Sequence, residues 1–145
     1  MKISTKGQYA LEIITDLALY SSPEHLESIR GIASRRNLSV KYSERLMKEM
    51  KDASLVVSIR GACGGYRLAR EADQITVKEV LEAVEGELAP VECLTRETDC
   101  GIDCNACPTR GIWRKIWRRI LDATDQVTIK DIIYKVKKNE LTRKI

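Results

Sequence analysis

The sequence predicts a mainly α-helical fold with one small β-hairpin, and three observations lead to this class. Apolar residues recur at the spacing of one helix face over several segments, beginning with Ala10, Ile13, Ile14 and Leu17. Two short β-prone runs flank the glycine-rich stretch GACGG at residues 61–65. A cysteine-rich stretch without helical period then precedes a long basic segment with a wide apolar face.

The first three helices are predicted over residues 8–20, 28–36 and 40–52. Pro23 prevents the first helix from continuing, and Ser39 is a suitable N-cap for the third helix. Because the second and third helices are short and are joined by about three residues, they match a helix-turn-helix.

A β-hairpin is predicted directly after the third helix, from the runs LVVSIR (55–60) and YRLAR (66–70). The sequence TVKE that starts at Thr76 forms a capping box, and it opens a helix that Gly86 ends. A hairpin that follows a helix-turn-helix is a wing, so residues 1–86 are predicted to form a winged helix-turn-helix domain.

The second half of the chain is predicted to divide into a cysteine-rich loop, residues 87–107, and a helical part, residues 108–145. Pro108 suits the first turn of a long helix, in which isoleucines recur every four residues beside two tryptophans. This apolar arc is too wide for a solvated helix. We therefore expect a dimerisation helix that buries against a second copy, with packing on its own domain as the alternative. A last short helix is predicted over residues 129–137.

Composition favours a soluble chain with a core, since 43% of the 145 residues are hydrophobic and 32% are charged. No apolar run approaches the roughly 20 residues that span a bilayer. Glu12 and Asp16 interrupt the N-terminal apolar positions, so no signal peptide is predicted. We therefore expect a cytoplasmic protein without membrane contact, in which cysteines are normally reduced.

The charges are unevenly distributed along the chain. Residues 1–70 carry 12 Lys and Arg against 7 Asp and Glu, residues 71–109 carry 2 against 10, and residues 110–145 carry 11 against 4. A basic N-terminal half fits a polyanionic partner such as nucleic acid. Ordinary solvated helix faces would produce a similar excess.

The third helix and the hairpin tip carry the residues that we expect to contact double-stranded DNA. In a winged helix, the second helix of the helix-turn-helix meets base edges in the major groove with its N-terminal residues. Glu44 can accept from cytosine, Arg45 can donate to guanine or phosphate, and Arg60 can enter the minor groove. The predicted DNA contacts are Ser39, Lys41, Tyr42, Ser43, Glu44, Arg45, Arg60 and Gly61, with Lys2, Lys6, Arg35 and Arg36 for phosphates. Winged helices also act as protein-interaction modules, which is the alternative.

Four of the five cysteines follow the spacing C-x6-C-x3-C-x2-C, from Cys93 to Cys107. Structural zinc sites usually pair two short knuckles, and only Cys104 and Cys107 form one here. Iron–sulfur clusters accept wider spacings, so the pattern favours a cluster. A thiol switch, in which the C-x2-C pair forms a disulfide, is a third reading. The single histidine, His25, and Cys63 in the hairpin tip are not expected to be ligands.

No catalytic set or nucleotide-binding fingerprint is present, because one distant histidine cannot complete a triad and GACGG is a hairpin tip. We expect neither an enzyme nor a small-molecule substrate.

Four motifs together span most of the chain: MKISTKGQYALEIITDLAL, LSVKYSERLM, SIRGACGGYRLA and ITVKEVLEAVEG. They closely resemble the IscR/NsrR/CymR family of bacterial winged-helix transcription regulators. The resemblance implies a homodimer paired through the long helix, with a cluster-binding loop before that helix. It also implies base contacts by Tyr42 and Glu44 and insertion of Arg60 into the minor groove. Members that lack the loop cysteines bind a partner enzyme instead.

The resemblance implies the following ligands of an iron–sulfur cluster, with [2Fe–2S] favoured over [4Fe–4S]: Cys93, Cys100 and Cys107. IscR-like members place a histidine three residues after the last cysteine, where this chain has Arg110. NsrR-like members take a carboxylate from the partner's first helix, which corresponds to the region of Gln8 and Glu12. Cys104 is therefore either surplus or the fourth ligand.

We therefore expect a dimeric, iron–sulfur-dependent transcription regulator that binds promoter DNA and senses iron–sulfur, redox or nitric oxide status. A zinc- or thiol-based regulator that acts by protein contact, without a cluster, is the alternative.

Overall fold

The computed structural model describes residues 2–144, and its elements are mainly helical, as predicted. The elements are, in order, α1 (Thr5–Tyr20), α2 (Ile29–Arg36), α3 (Val40–Asp52), β1 (Val56–Ile59), β2 (Gly65–Leu68), α4 (Val77–Glu85), α5 (Arg110–Asp125) and α6 (Ile129–Arg143), with short 3-10 turns at Ala72–Gln74 and Glu92–Leu94.

The core is built around α1. The apolar stripe Ala10, Ile13, Ile14 and Leu17 has no exposed surface, and α1 packs against α2, α3, α4, α6 and β2. Each large aliphatic side chain buried in this way contributes about 1.5–3 kcal/mol to the free energy of unfolding. The helix begins at Thr5, three residues before the predicted start, because the Ser4 side chain caps it by accepting from the Lys6 backbone N–H.

A carboxylate of α4 holds the N-terminus of α1. Glu85 Oε1 accepts hydrogen bonds from Ser4 N (2.8 Å), Ser4 Oγ (2.6 Å) and Gly7 N (3.0 Å). Burial alone would raise the pKa of the Glu85 carboxyl, but these hydrogen bonds outweigh burial and lower the pKa. The contact joins the start of α1 to the end of α4, where the cysteine segment begins.

The predicted hairpin is present and is anchored at its base. Strands β1 and β2 pair antiparallel, with Ile59 opposite Gly65 at the tip end. The Glu27 N–H donates to the Tyr66 carbonyl (3.0 Å) and the Tyr66 N–H donates to the Glu27 carbonyl (2.8 Å). At Gly64 a Cβ would lie 2.1 Å from the Ile59 carbonyl oxygen, so the turn accepts only glycine at this position.

The C-terminal helices differ from prediction at their ends. Helix α5 begins at Arg110 after Thr109, so Pro108 precedes the helix instead of occupying its first turn. Helix α6 extends to Arg143, six residues beyond the predicted end at residue 137. Residues 138–143 contain no proline or glycine and include good helix formers, so nothing in the sequence stops the helix earlier.

Helix α6 returns to the core of the first 86 residues. Ile129 is fully buried in that core, and its N–H donates to the Ile75 carbonyl at 3.0 Å. A capping box of Thr128 and Asp131 opens the helix. The division of the chain at residues 86 and 107 stays a prediction, but α6 shares the core of the winged helix-turn-helix. None of the helices between residues 2 and 144 has both the length and the apolar character that a membrane crossing requires.

Replacing Gly7 by alanine is predicted to lower the free energy of unfolding by about 1–3 kcal/mol, the range typical of overpacking. A Cβ at this position would lie 2.7 Å from Ile3 Cγ2 and 2.8 Å from Glu85 Oε1. The carboxylate would have to move away from the hydrogen bonds that fix it. Urea denaturation followed by circular dichroism measures the change.

Gly111→Ala is the matched control, because a Cβ at Gly111 meets nothing within 4 Å in the described part of the chain. Alanine is the better helix former, so this variant is predicted to be as stable as the parent or up to about 1 kcal/mol more stable. An equal loss of stability in both variants would contradict the packing role of Gly7.

Candidate functional site

The outer face of α3 presents most of the predicted DNA contacts to solvent. Ser39 caps the helix by accepting from the Tyr42 N–H at 3.1 Å. Residues on the opposite side of α3 are fully buried and fix the rotation of the helix: Leu46, Met47 and Met50. The predicted contacts that are exposed on α3 are Ser39, Lys41, Glu44 and Arg45.

Ser43 differs from its predicted neighbours. Its side chain is fully buried, and its hydroxyl donates to the Ser39 carbonyl at 2.9 Å. Ser43 therefore lies on the core side of α3, away from the exposed predicted contacts, and its contact with DNA stays a prediction.

Tyr42 is half-buried and oriented by α1. Its ring meets that of Tyr9 edge to face, with 6.0 Å between centroids and an interplanar angle of 88°. Edge-to-face contacts of this kind stabilise a defined ring position. The rest of Tyr42 packs against the core, so α1 determines where this predicted base contact sits.

Glu49 of α3 takes part in two ion pairs that the sequence did not predict. Lys6 Nζ lies 3.0 Å from Glu49 Oε2, and Arg45 Nε lies 3.6 Å from Glu49 Oε1. Lys6, which the sequence assigned to a phosphate, is therefore paired within the protein. The pair connects the start of α1 to the exposed face of α3.

The wing tip extends from the body with Arg60 and Gly61 exposed. Gly61 has φ +120°, which favours glycine, and no atoms lie within 4 Å of where its Cβ would be. A groove lies between the wing tip and helices α2 and α3. It is lined by Arg60 and Gly61 of the tip, by Ser28 before α2 and by Lys51 of α3. The wing tip therefore lies beside the last turn of α3.

Two further arginines predicted to contact phosphate form ion pairs within the protein. Arg35 donates to both oxygens of Asp16, with Nε at 3.1 and 3.0 Å and Nη2 at 2.7 Å, and Arg36 Nε lies 3.2 Å from Asp16 Oδ2. Asp16 itself is buried. The signal that could have revealed this network is an acidic residue beside Leu17 within the apolar stripe of α1, because a buried charge needs a partner.

The cysteine segment does not assemble the predicted ligand set. Cys93 and Cys107 are half-buried, whereas Cys100 and Cys104 are exposed. Among the residues described, no three His, Cys, Asp or Glu side chains are grouped closely enough to hold a metal ion. Gln8 and Glu12, the region in which a partner's ligand would lie, are exposed on α1.

Arg110, at the position where IscR-like proteins have histidine, ties the two ends of the cysteine segment together. Its Nη1 donates to the Cys93 carbonyl at 3.1 Å. Arg110 also lines a pocket with Cys104, Cys107 and Arg114. Two guanidinium groups and two thiols thus lie around one cavity at the start of α5.

The environment of the Cys107 thiol favours the thiolate. Its Sγ lies 3.6 Å from Thr109 Oγ1. The Thr109 hydroxyl, the backbone N–H groups of Thr109 and Arg110, and the Arg110 charge lower the pKa of Cys107. The thiolate is the form that ligates metals and reacts with oxidants.

Helix α5 leaves a large apolar face uncovered. It contains no buried residue, and Ile112, Trp113 and Ile116 are 60%, 36% and 38% exposed. An apolar groove on this face is lined by Ile116, Ile120 and Ala123, with Lys115 and Arg119 at its sides. A row of exposed isoleucines on a monomer is typical of a protein–protein interface.

Comparison with known proteins gives consistent matches over nearly the whole chain. The family model described as Rrf2, an iron-dependent transcriptional regulator, matches residues 3–135. The HTH-type transcriptional regulator CymR of Bacillus subtilis is 39% identical over 132 residues, which is 91% of this chain and 89% of CymR. A solved structure of the CymR of B. subtilis, described as its global cysteine regulator, has a TM-score of 0.75 and 36% identity, covering 93% of this chain and 98% of that one.

A second solved structure, IscR of T. potens, has a TM-score of 0.76 and 32% identity over 96% of this chain and 90% of that chain. The two structures confirm the predicted fold class, a winged helix-turn-helix with a long additional helix.

Thr109→Val is predicted to raise the pKa of the Cys107 thiol, because the variant lacks the hydroxyl that stabilises the thiolate. Cys107 is then less ionised near neutral pH, and its alkylation by iodoacetamide slows. The pH dependence of alkylation, resolved by tandem mass spectrometry on reduced, metal-free protein, measures the shift. Thr109→Ser keeps the hydroxyl and is predicted to keep the parent profile. An unchanged profile in the valine variant would contradict the assignment.

Proposed function

Because this chain belongs to the Rrf2 family of transcriptional regulators, we propose that it acts as a dimer that reads promoter DNA and holds an iron–sulfur cluster on its cysteine segment. The single observation that carries the DNA-binding part is that the N-terminal face of α3 and the wing tip with Arg60 are both exposed on one chain. The predicted family resemblance is confirmed, and the family consists of DNA-binding regulators rather than enzymes.

On DNA, the residues of α3 and the wing have different tasks in this proposal. Ser39, Lys41 and Arg45 contact the backbone or guanine, while Tyr42 and Glu44 face base edges in the major groove. Arg60 and Gly61 at the wing tip enter the minor groove, where an arginine is attracted by the negative potential.

The proposed dimer is supported by the uncovered face of α5. Burying Ile112, Trp113 and Ile116 against the same face of a second copy removes exposed apolar surface from both chains. A symmetric dimer carries two copies of α3, as binding to two half-sites about one helical turn apart requires. No membrane contact enters the proposal, and a cytoplasmic location stays a prediction.

The cluster proposal rests on donor chemistry. Cys93, Cys100 and Cys107 supply thiolates, Cys104 is a candidate fourth ligand, and the lowered pKa of Cys107 favours the ligating form. The cysteines fit the chemistry of a cluster, preferably [2Fe–2S], although the segment must close further to bring the sulfurs together. Such a cluster would make the conformation of the segment depend on iron, sulfide and oxidants.

A zinc- or thiol-based regulator without a cluster is the second candidate. The observation in its favour is the pocket in which Cys104 and Cys107 lie beside Arg110 and Arg114. Neighbouring cations stabilise thiolates and make such a pair reactive. CymR, described as a cysteine regulator, is also among the relatives.

Anaerobic reconstitution with iron and sulfide is predicted to give a coloured protein that contains both elements. Cys93→Ser, Cys100→Ser and Cys107→Ser are each predicted to lose the colour, whereas Cys63→Ser in the wing keeps it. Iron, sulfide and zinc analysis with absorption spectroscopy decides between the candidates. Colourless protein, or one zinc per chain without sulfide, would contradict the cluster.

Arg60→Ala is predicted to weaken binding to a specific duplex by about 1–3 kcal/mol, the cost of one good groove contact. The duplex is obtained by repeated selection from random-sequence DNA with the parent protein. Fluorescence anisotropy at fixed salt measures the affinity. Arg143→Ala, which removes the same charge from α6, is the control and is predicted to change binding only slightly. Equal effects of the two variants would exclude the wing contact.

A further inference from the structure

Arg35 of α2 joins its own helix to α1 and to the segment before α2. Its guanidinium donates to Asp16 of α1 with Nη2 at 2.7 Å and to Glu27 Oε2, in the segment before α2, at 2.6 Å. The same group lies 4.3 Å from the centroid of the Tyr20 ring, near the end of α1. A planar guanidinium can serve several acceptors at once in fixed directions, which a lysine ammonium cannot.

Glu27 connects Arg35 to the wing through its own backbone. Its backbone exchanges two hydrogen bonds with Tyr66, so the residue forms an isolated antiparallel bridge to β2. The contact is close, because a Cβ at Gly65 would lie 2.7 Å from the Glu27 carbonyl oxygen. A change in the position of Glu27 therefore displaces β2 and, through it, the tip that carries Arg60.

The Glu27 carboxylate is held as an anion between two donors. Its Oε2 accepts from Arg35, and its Oε1 lies 2.9 Å from His25 Nε2. Burial alone would raise the pKa of Glu27, but the hydrogen bonds from Arg35 and His25 lower it. The second carboxylate that pairs with Arg35 is that of Asp16, whose side chain is fully buried, and this pair attaches the guanidinium to α1.

We infer that Arg35 and Glu27 are positioning residues that set the wing, and hence Arg60, at the distance from α3 that DNA requires. The chain of contacts runs from Asp16 in α1 through Arg35 and Glu27 to Tyr66 in β2. Neither residue needs to touch DNA in this role. The inference rests on the proposed wing contact, and it assigns the reason why the wing is presented in one orientation.

A double-mutant cycle on the selected duplex tests the coupling. Glu27→Gln removes the charge that holds Arg35 but keeps the backbone pairing with Tyr66, and it is expected to weaken binding about 3- to 10-fold. In an Arg60→Ala background the same substitution is expected to cause no further loss, because the wing contact is already absent. Glu24→Gln removes an equal charge from the same exposed segment without touching Arg35 and is expected to leave binding unchanged or slightly stronger.

A second readout follows the wing itself. Hydrogen exchange of the Tyr66 amide, which donates to Glu27, is expected to be faster in Glu27→Gln, while exchange at Leu46 in α3 stays unchanged. Arg35→Lys, which keeps the charge beside Asp16 but cannot bridge to Glu27 in the same way, is the second variant if Glu27→Gln does not fold. Like Glu27→Gln, this variant is expected to weaken DNA binding on its own and to cause no further loss in the Arg60→Ala background.

The outcomes separate the inference from the proposed function. Losses from Glu27→Gln and Arg60→Ala that simply add would overturn the positioning role and leave the wing contact standing. No loss from Glu27→Gln, with Arg60→Ala weakening binding, would also overturn it. No loss from Arg60→Ala would instead remove the wing contact on which both depend.

Discussion

The fold depends on the burial of α1. Its apolar stripe has no exposed surface, and the helix packs against four other helices and one strand. Both ends of α1 also make polar contacts with other helices. Glu85 of α4 accepts hydrogen bonds at the start of α1, and Arg35 of α2 donates to Asp16 near its end. Because these elements all contact α1, α3, the wing and the start of the cysteine segment have defined positions relative to one helix.

Local patterns made most of the elements predictable. Periodicity placed α1, α3 and α5, the capping box at Thr76 placed α4, and the glycine-rich tip placed the wing, since each depends on residues close in sequence. Contacts between residues far apart in the sequence could not be predicted from these local patterns. Ser43 lies on the core side of α3, and Arg35 and Arg36 pair with Asp16, about 20 residues away. The cysteine segment was identified from its spacing, but its side-chain positions depend on no periodic pattern.

The surface formed by α3 and the wing is complete in a single chain, whereas the cysteine segment and α5 are not. The proposed DNA-binding surface lies within a single chain, because α3 and the wing both pack on one core. The cysteine segment and α5 remain open, with exposed thiols, an uncovered apolar face and an exposed α1 surface at Gln8 and Glu12. In the proposed dimer, a second copy on α5 would cover this apolar face.

The central claim is that α5 joins two DNA-reading units that act together. Sedimentation equilibrium and DNA binding of Ile116→Glu test it directly, with Leu141→Glu, at an apolar residue that is 67% exposed on α6, as the control. Ile116→Glu is predicted to be a folded monomer that no longer binds the selected duplex specifically but keeps salt-dependent binding to any DNA. Leu141→Glu is predicted to remain a specific dimer. A monomeric parent protein, or specific binding by monomeric Ile116→Glu at parent affinity, would contradict the account.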